Sequence, residues 1–391
     1  MNFLSAKAPS SLPFSLSQRS ILWIVAIFAF TSFLFFLPTL TQRLICPIQL
    51  QQSDAINVER ALIVLRGENL YPDPTRGGPY LYTAYPPLYF WLEALLMKAT
   101  HSLWLPGRLL AFIGYFGCGL LMGCWAFKRW GKVWALLMPS MLWIFPSWER
   151  WGTVDRPDTL FIFLQFFAFI LLYRQEIDEG WAGKSPFNWI AMAGILEAAA
   201  ILIKQGSISL LLAYGAYCFF KKKWKNLSVF FSFALGPVFL VCFVENLTTG
   251  GLFFRHTVSW LSTGYRWGLL WYWLTNDLVR EAGWLLALVL ILVLTVKNPA
   301  LLAWQLLFTT FTLFSLGRLG GAENYWLEFF LFCLFFAGES IATGEAFTWV
   351  PNRWWARARW MIILTLVLLF VTSIRGKGPT LPSADEIAMK M

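Results

Sequence analysis

Acidic residues are sparse in this chain, and the few that stand near cations are the ones able to do chemistry. Asp54 opens the stretch SDAINVERALIVLRGENLYPD, while ERWGTVDRPDTL sets Glu149, Asp155 and Asp158 among Arg150 and Arg156. A carboxylate can take the proton of an attacking hydroxyl while cations stabilise a departing phosphate. Phosphate leaves unprotonated, so one carboxylate suffices for an inverting displacement; a retaining route needs a nucleophile as well. Arg156, Lys204, Arg255, Arg266 and Arg318 supply the cations. Each candidate also has a purely structural reading. Ser53 or Asp54 can cap a helix, Asp158 after Pro157 can begin one, and Arg or Lys at a helix end can snorkel to headgroups. Lys204 differs from the others because ILIKQGS joins two apolar runs. A cation at membrane depth costs about 2.5–3.5 kcal/mol on insertion scales, so it needs a partner or ligand, and Glu197 on the preceding run is available.

The elements that must hold these residues are membrane helices. Of 391 residues 58% are hydrophobic and 13% charged, a balance that no soluble domain shows, and the mean hydropathy is +0.60. Apolar runs recur near the ~20 residues needed to cross hydrocarbon. The spacing predicts an all-α polytopic protein, a single integral membrane domain of about eleven spans: 21–41, 107–127, 133–147, 158–174, 188–203, 207–220, 226–245, 282–296, 299–316, 325–345 and 360–374. Residues 1–20 read as a cytoplasmic leader with a retained first helix, 42–107 as the first extracytoplasmic loop and 375–391 as a polar tail. Basic clusters at Lys128-Arg129-Lys132, Lys221-Lys222-Lys223-Lys225 and Arg353-Arg357-Arg359 all fall inside under this threading. It requires Tyr89–Thr100, which carries Glu93 and Lys98, to lie in the interface and not cross. A second interfacial helix, about Asp54–Arg66, stops at Gly67. The acidic sites then share the outer face, and the expected location is the plasma membrane with the site facing outward.

The net charge of +10 punctuates helix ends and forms no basic face, which points to lipid headgroups and excludes nucleic acid. The six cysteines show neither disulfide nor metal spacing. The third outer loop mixes aromatics with Arg255, His256, Arg266, Asn276 and Asp277, groups suited to a sugar ring and a prenyl chain. His256 has no metal-binding companion and reads as a donor.

Several segments together resemble the GT-C glycosyltransferases, especially bacterial relatives of the protein O-mannosyltransferases and the lipid A aminoarabinose transferase. They are Asp54 with ALIVLRGENLYPD, YPPLYFWLEALL at Tyr85 with LPGRLLAFIG, RPDTL at Asp158, LIKQGS at Lys204 and GRLGGAENYWLEFF around Asn324. The resemblance implies a GT-C fold and inverting transfer from a polyprenyl-phosphate sugar to a lipid, glycan or protein hydroxyl. Asp54 would match the catalytic carboxylate, Asp155 or Asp158 a further site residue, and Lys204 and Arg318 the phosphate ligands; Arg255, Arg266, Tyr85 and Asn324 complete the substrate-binding candidates. No cofactor is implied, although Asp155, Asp158 and Glu149 could hold a divalent ion. The Asp54 loop departs from several relatives in lacking their paired Asp-Glu start, and no sizeable C-terminal soluble domain of the kind some relatives use is expected. Competing readings are a transporter or flippase with midplane charges such as Glu197 and Lys204, a polysaccharide ligase or polymerase using Arg255 and His256, and an inactive envelope scaffold.

Overall fold

In a computed structural model the described residues are 16–73, 75, 82–177, 186–261, 264–293 and 300–343. The span expected at 360–374, the third basic cluster and the polar tail lie outside them, as does most of the leader. Every regular element among the described residues is helical: α1 Leu16–Ile45, α2 Gln52–Leu65, α3 Leu88–Thr100, α4 Leu105–Arg129, α5 Lys132–Trp143, α6 Pro146–Trp151, α7 Asp158–Ile177, α8 Pro186–Ile203, α9 Ser209–Phe220, α10 Trp224–Thr248, α11 Leu252–Phe254, α12 Trp267–Tyr272, α13 Val279–Val293, α14 Leu301–Thr312 and α15 Leu327–Thr343. Five stretches are long and apolar enough to cross a membrane: Arg19–Ile45, Leu105–Arg129, Asp158–Ile177, Trp224–Thr248 and Glu323–Ala342. The protein is an integral membrane protein. The other expected spans that fall on described residues are helices too, but shorter; α9 and α14 each have only 12 residues.

Both helices expected in the first loop form. Backbone N–H groups of Arg66 and Gly67 close α2 on Leu62 and Val64, and the chain turns at Gly67 with φ +69, a conformation open to glycine at little cost. α3 ends at His101 in the left-handed region, φ 53. The predicted hairpin at Lys204 is the turn between α8 and α9.

The chain divides into two compact units, the first from residues 16–38, 116–150 and 266–343, the second from 39–115 and 151–265. In the first, α15 packs on α5, α13 and α14 and is almost wholly enclosed. In the same unit Phe33, Phe116 and Trp143 form an aromatic cluster, with the Phe116 and Trp143 rings stacked 4.8 Å apart. In the second, α8 lies against α7 and α10, and α2 packs on α3 through Val58, Ala61, Ala94 and Met97.

In lipid, helices associate through close packing and not through exclusion of water, so small residues set the contacts. Gly114 of α4 is such a contact: a Cβ there would overlap the main chain of Thr159 and Leu160 at the start of α7. Main chain cannot swing aside. Gly114→Ala is therefore expected to destabilise the second unit by about 1–3 kcal/mol, the usual range for overpacking, whereas Gly236→Ala, which meets nothing within 4 Å, leaves the melting temperature unchanged. Equal melting of the two variants in detergent would refute this contact.

Candidate functional site

Asp54 sits in the first turn of α2 but does not cap it; the N-cap residue, Gln51, makes no side-chain bond to the helix. Instead Asp54 gathers three donors from different segments. Its Oδ2 accepts the Leu50 N–H at 3.0 Å and Arg108 Nη2 at 3.2 Å, and its Oδ1 accepts the Asp155 N–H at 3.1 Å. Arg108, in the first turn of α4, also donates to the carbonyls of Arg43, Cys46 and Ile48. The carboxylate and guanidinium are fully buried. One ion pair thus fastens the end of α1, the start of α2 and α4, and the loop before α7.

The structure separates the two acidic residues of VDRPD. Asp155 turns toward Asp54 and α3: its Oδ1 accepts the Tyr89 hydroxyl at 2.6 Å and the Asn57 amide at 3.3 Å, and its main-chain carbonyl accepts Asn57 at 2.7 Å. Glu93, one turn beyond Tyr89, approaches the same carboxyl. Burial raises the Asp155 carboxyl to about 7 against the donors that favour its charge, and raises Glu93 well above the usual carboxylate range, with the Asp155 charge adding to it. Burial likewise raises the Tyr89 phenol, which therefore stays a donor. Gly107 makes this packing possible, since a Cβ there would overlap the Asp155 carboxyl.

Asp158 faces the other way. It pairs with Lys204 at the α8–α9 turn and with Arg156, 3.4 Å away. Lys204 also lies over the Phe161 ring and Arg156 over Trp151. The partner for Lys204 expected from sequence was Glu197; the structure brings in Asp158, while Glu197 accepts from Gln165 at 3.5 Å. Gln165 donates in turn to Ser207.

The first and third loops meet around His256. Its Nδ1 accepts the Thr83 N–H at 2.8 Å, which puts the hydrogen on Nε2, donated to the Pro72 carbonyl at 2.9 Å. Burial holds the imidazole below its ordinary range. With both ring nitrogens engaged by main chain, His256 works as a brace, and Gln205 adds bonds to the carbonyls of Ala84 and Thr257. Tyr71 packs edge-on to Phe253 and His256.

Of the other candidates, Arg255 is exposed beside His256, and Tyr85 is half-buried with its carbonyl accepting the Tyr71 hydroxyl. Arg266, Arg318 and Asn324 belong to the first unit, where Arg266 is exposed, Arg318 half-buried and Asn324 buried. That unit also holds the Ser147–Glu281 bond and the Arg150–Glu323 ion pair. Among the described residues no three His, Cys, Asp or Glu side chains gather as metal ligands. Arg108, Asn57, Tyr89 and Glu93 were not picked out as site residues from sequence. An arginine in the first turn of a span was the available signal for Arg108; for Tyr89 and Glu93 it was their i, i+4 spacing.

No protein-family model matches the sequence, and no curated protein does. Among solved structures, the chain superposes on ArnT from Cupriavidus metallidurans in the apo state with a TM-score of 0.60 and 17% identity, over 85% of this chain and 61% of that one. It also superposes on ArnT from the same organism bound to undecaprenyl phosphate, with a TM-score of 0.59 and 16% identity, over 92% of this chain and 72% of the other. The chain therefore spans about three-fifths of the first of these structures. At this identity the likeness is one of architecture: the protein shares the overall fold of these two structures, and every regular element among its described residues is helical.

Proposed function

We propose that the protein is a membrane glycosyltransferase that moves a sugar from a polyprenyl-phosphate carrier to a hydroxyl on an extracytoplasmic acceptor, with inversion. The observation that carries this reading is the gathering, within one unit, of carboxylates and cations from the first loop, the second loop and the α8–α9 turn, on a fold shared with a structure that holds undecaprenyl phosphate. Asp54, in line with the resemblance, and Asp155 beside it form the proton-accepting side. As the acceptor oxygen bonds to the anomeric carbon, its proton passes to a carboxylate, the bond from that carbon to the phosphate oxygen breaks, and the electron pair leaves with the phosphate. Lys204 and Arg156, both held by Asp158, form the phosphate side, where positive charge stabilises the departing group. Arg255 and Tyr85, in the same unit, are the further substrate contacts in this reading, and no metal ion has a role in it. The expected setting is the plasma membrane with the site outward, and the acceptor is a lipid, glycan or protein hydroxyl.

The test is incubation of purified protein in lipid with a panel of radiolabelled polyprenyl-phosphate sugars and crude membrane extract as acceptor source. Release of free polyprenyl phosphate with transfer of label is the expected result. Label carried intact across a sealed vesicle, with no carrier released from any donor, would instead establish a transporter.

A further inference from the structure

Around Asp155 the donors and acceptors do not balance if every carboxyl is ionised. Oδ1 has the Tyr89 hydroxyl and the Asn57 amide. Oδ2 has no donor, and neither does either oxygen of Glu93, though all are buried from solvent and the two carboxyls lie within hydrogen-bonding reach. Tyr89 and Glu93 stand on one face of α3, so the helix presents both to the same partner. Two carboxylates facing each other in a buried site repel, and a proton shared between them relieves the repulsion and supplies the missing donor.

We propose that Glu93 is a positioning residue that carries a proton and donates it to Asp155 Oδ2, so that the site contains a carboxyl–carboxylate pair holding one proton. Asp155 then receives three side-chain donors, Glu93, Tyr89 and Asn57, and is fixed against the main chain that binds Asp54. The charges on the surrounding elements agree with a single negative charge here. From α2 come Asp54, which is paired with Arg108 of α4 and whose charge also favours the protonated form of both carboxyls, then Arg60, whose charge acts on His256, and Glu59, which pairs with Arg66 at the surface. From α8, which also packs on α3, the one ionisable residue is Glu197, bonded to Gln165. Raised pKa values for both carboxyls are the expected companion of the arrangement. Their sign is definite: the folded state binds the proton more tightly than the unfolded chain, so the pair's contribution to stability is full below the ordinary carboxylate range and is lost as pH rises through the folded-state value.

For the proton itself the inference stands on the burial and the missing donors of the two carboxyls and on the Tyr89 and Asn57 bonds that place Asp155; its bearing on catalysis rests on the glycosyl-transfer reading. The experiment accordingly uses readouts that need no donor. Infrared difference spectra of the intact protein in lipid, titrated with alkali, are expected to show a buried protonated carboxyl band that disappears as pH rises, and to lack it in Glu93→Gln. Glutamine keeps a donor toward Asp155 that alkali cannot remove, so the alkaline fall in melting temperature should flatten in Glu93→Gln. Glu93→Leu, which has no donor, is expected to lower the folded-to-unfolded ratio about tenfold or more. If the carboxyl band survives in Glu93→Gln, or the alkaline fall is the same in that variant as in wild type, the shared proton is refuted, whether or not the protein transfers sugar and whether or not Glu93→Leu folds.

Discussion

Arg108→Met is expected to destabilise the second unit by about 3–5 kcal/mol, the cost of removing one partner of a buried ion pair. The size follows from what is left behind. Arg108 is fully enclosed and serves four acceptors: the carbonyls of Arg43 at 3.2 Å, Cys46 at 2.6 Å and Ile48 at 2.5 Å, and the Asp54 carboxylate. Methionine fills much of the volume but donates nothing, so a buried charge and three carbonyls lose their donor together. Lysine should not rescue, because a single ammonium cannot span acceptors arranged around a planar fork. Asp54→Leu is expected to cost a similar amount, and the double variant less than the sum, since removing both charges leaves neither stranded. Thermal unfolding in lipid nanodiscs measures all four, with Arg66→Ala as a control at an exposed pair expected to show no change. Wild-type melting in Arg108→Met would show that the buried pair does not hold the unit together. The same geometry bears on how loss of activity at Asp54 is read. A variant there removes the acceptor of the Leu50 and Asp155 amides as well as any catalytic carboxylate, so activity has to be expressed per folded molecule.

What was legible in the sequence followed from periodicity and from charges that are costly in lipid. Alternation of apolar runs with polar breaks placed ten helices within a few residues of where they stand, and α2 and α3 were separable from the spans because a helix of 13 residues carrying Glu93 and Lys98 is too short and too polar to cross. Lys204 stood out for the same reason, and it is indeed buried with an anionic partner. Which anion was not legible. Glu197 stands on the helix just before it and is near in sequence; Asp158 is brought over by the packing of α7 on α8, which no single helix encodes. The division of labour between Asp155 and Asp158 was hidden likewise. They lie three residues apart, and only the loop preceding α7 decides that one meets Asp54 and the other Lys204. The Glu93 carboxyl was read as the polar mark of an interfacial helix, because its partner lies 62 positions away. Capping was a fair expectation for Asp54 on residue type alone; the competing partner, Arg108, is also a long-range contact.

The Lys204–Asp158 pair can be made to report whether its charges serve the reaction or only the fold. Lys204→Met is expected to slow carrier release by about 10²–10³-fold per folded molecule, the usual loss when one preorganised group that stabilises developing charge is removed. Asp158→Asn should slow it less, since Lys204 remains and loses mainly its orientation; both single variants should also melt early, each leaving a buried charge without its partner. The double variant separates the roles. Stability should partly return, because no charge is left stranded, whereas the rate should stay at the Lys204→Met level, because the cation facing the departing phosphate is still missing. A rate that recovers along with the melting temperature would assign the pair to the fold alone and leave Arg156, over Trp151, to be tested as the phosphate-facing cation.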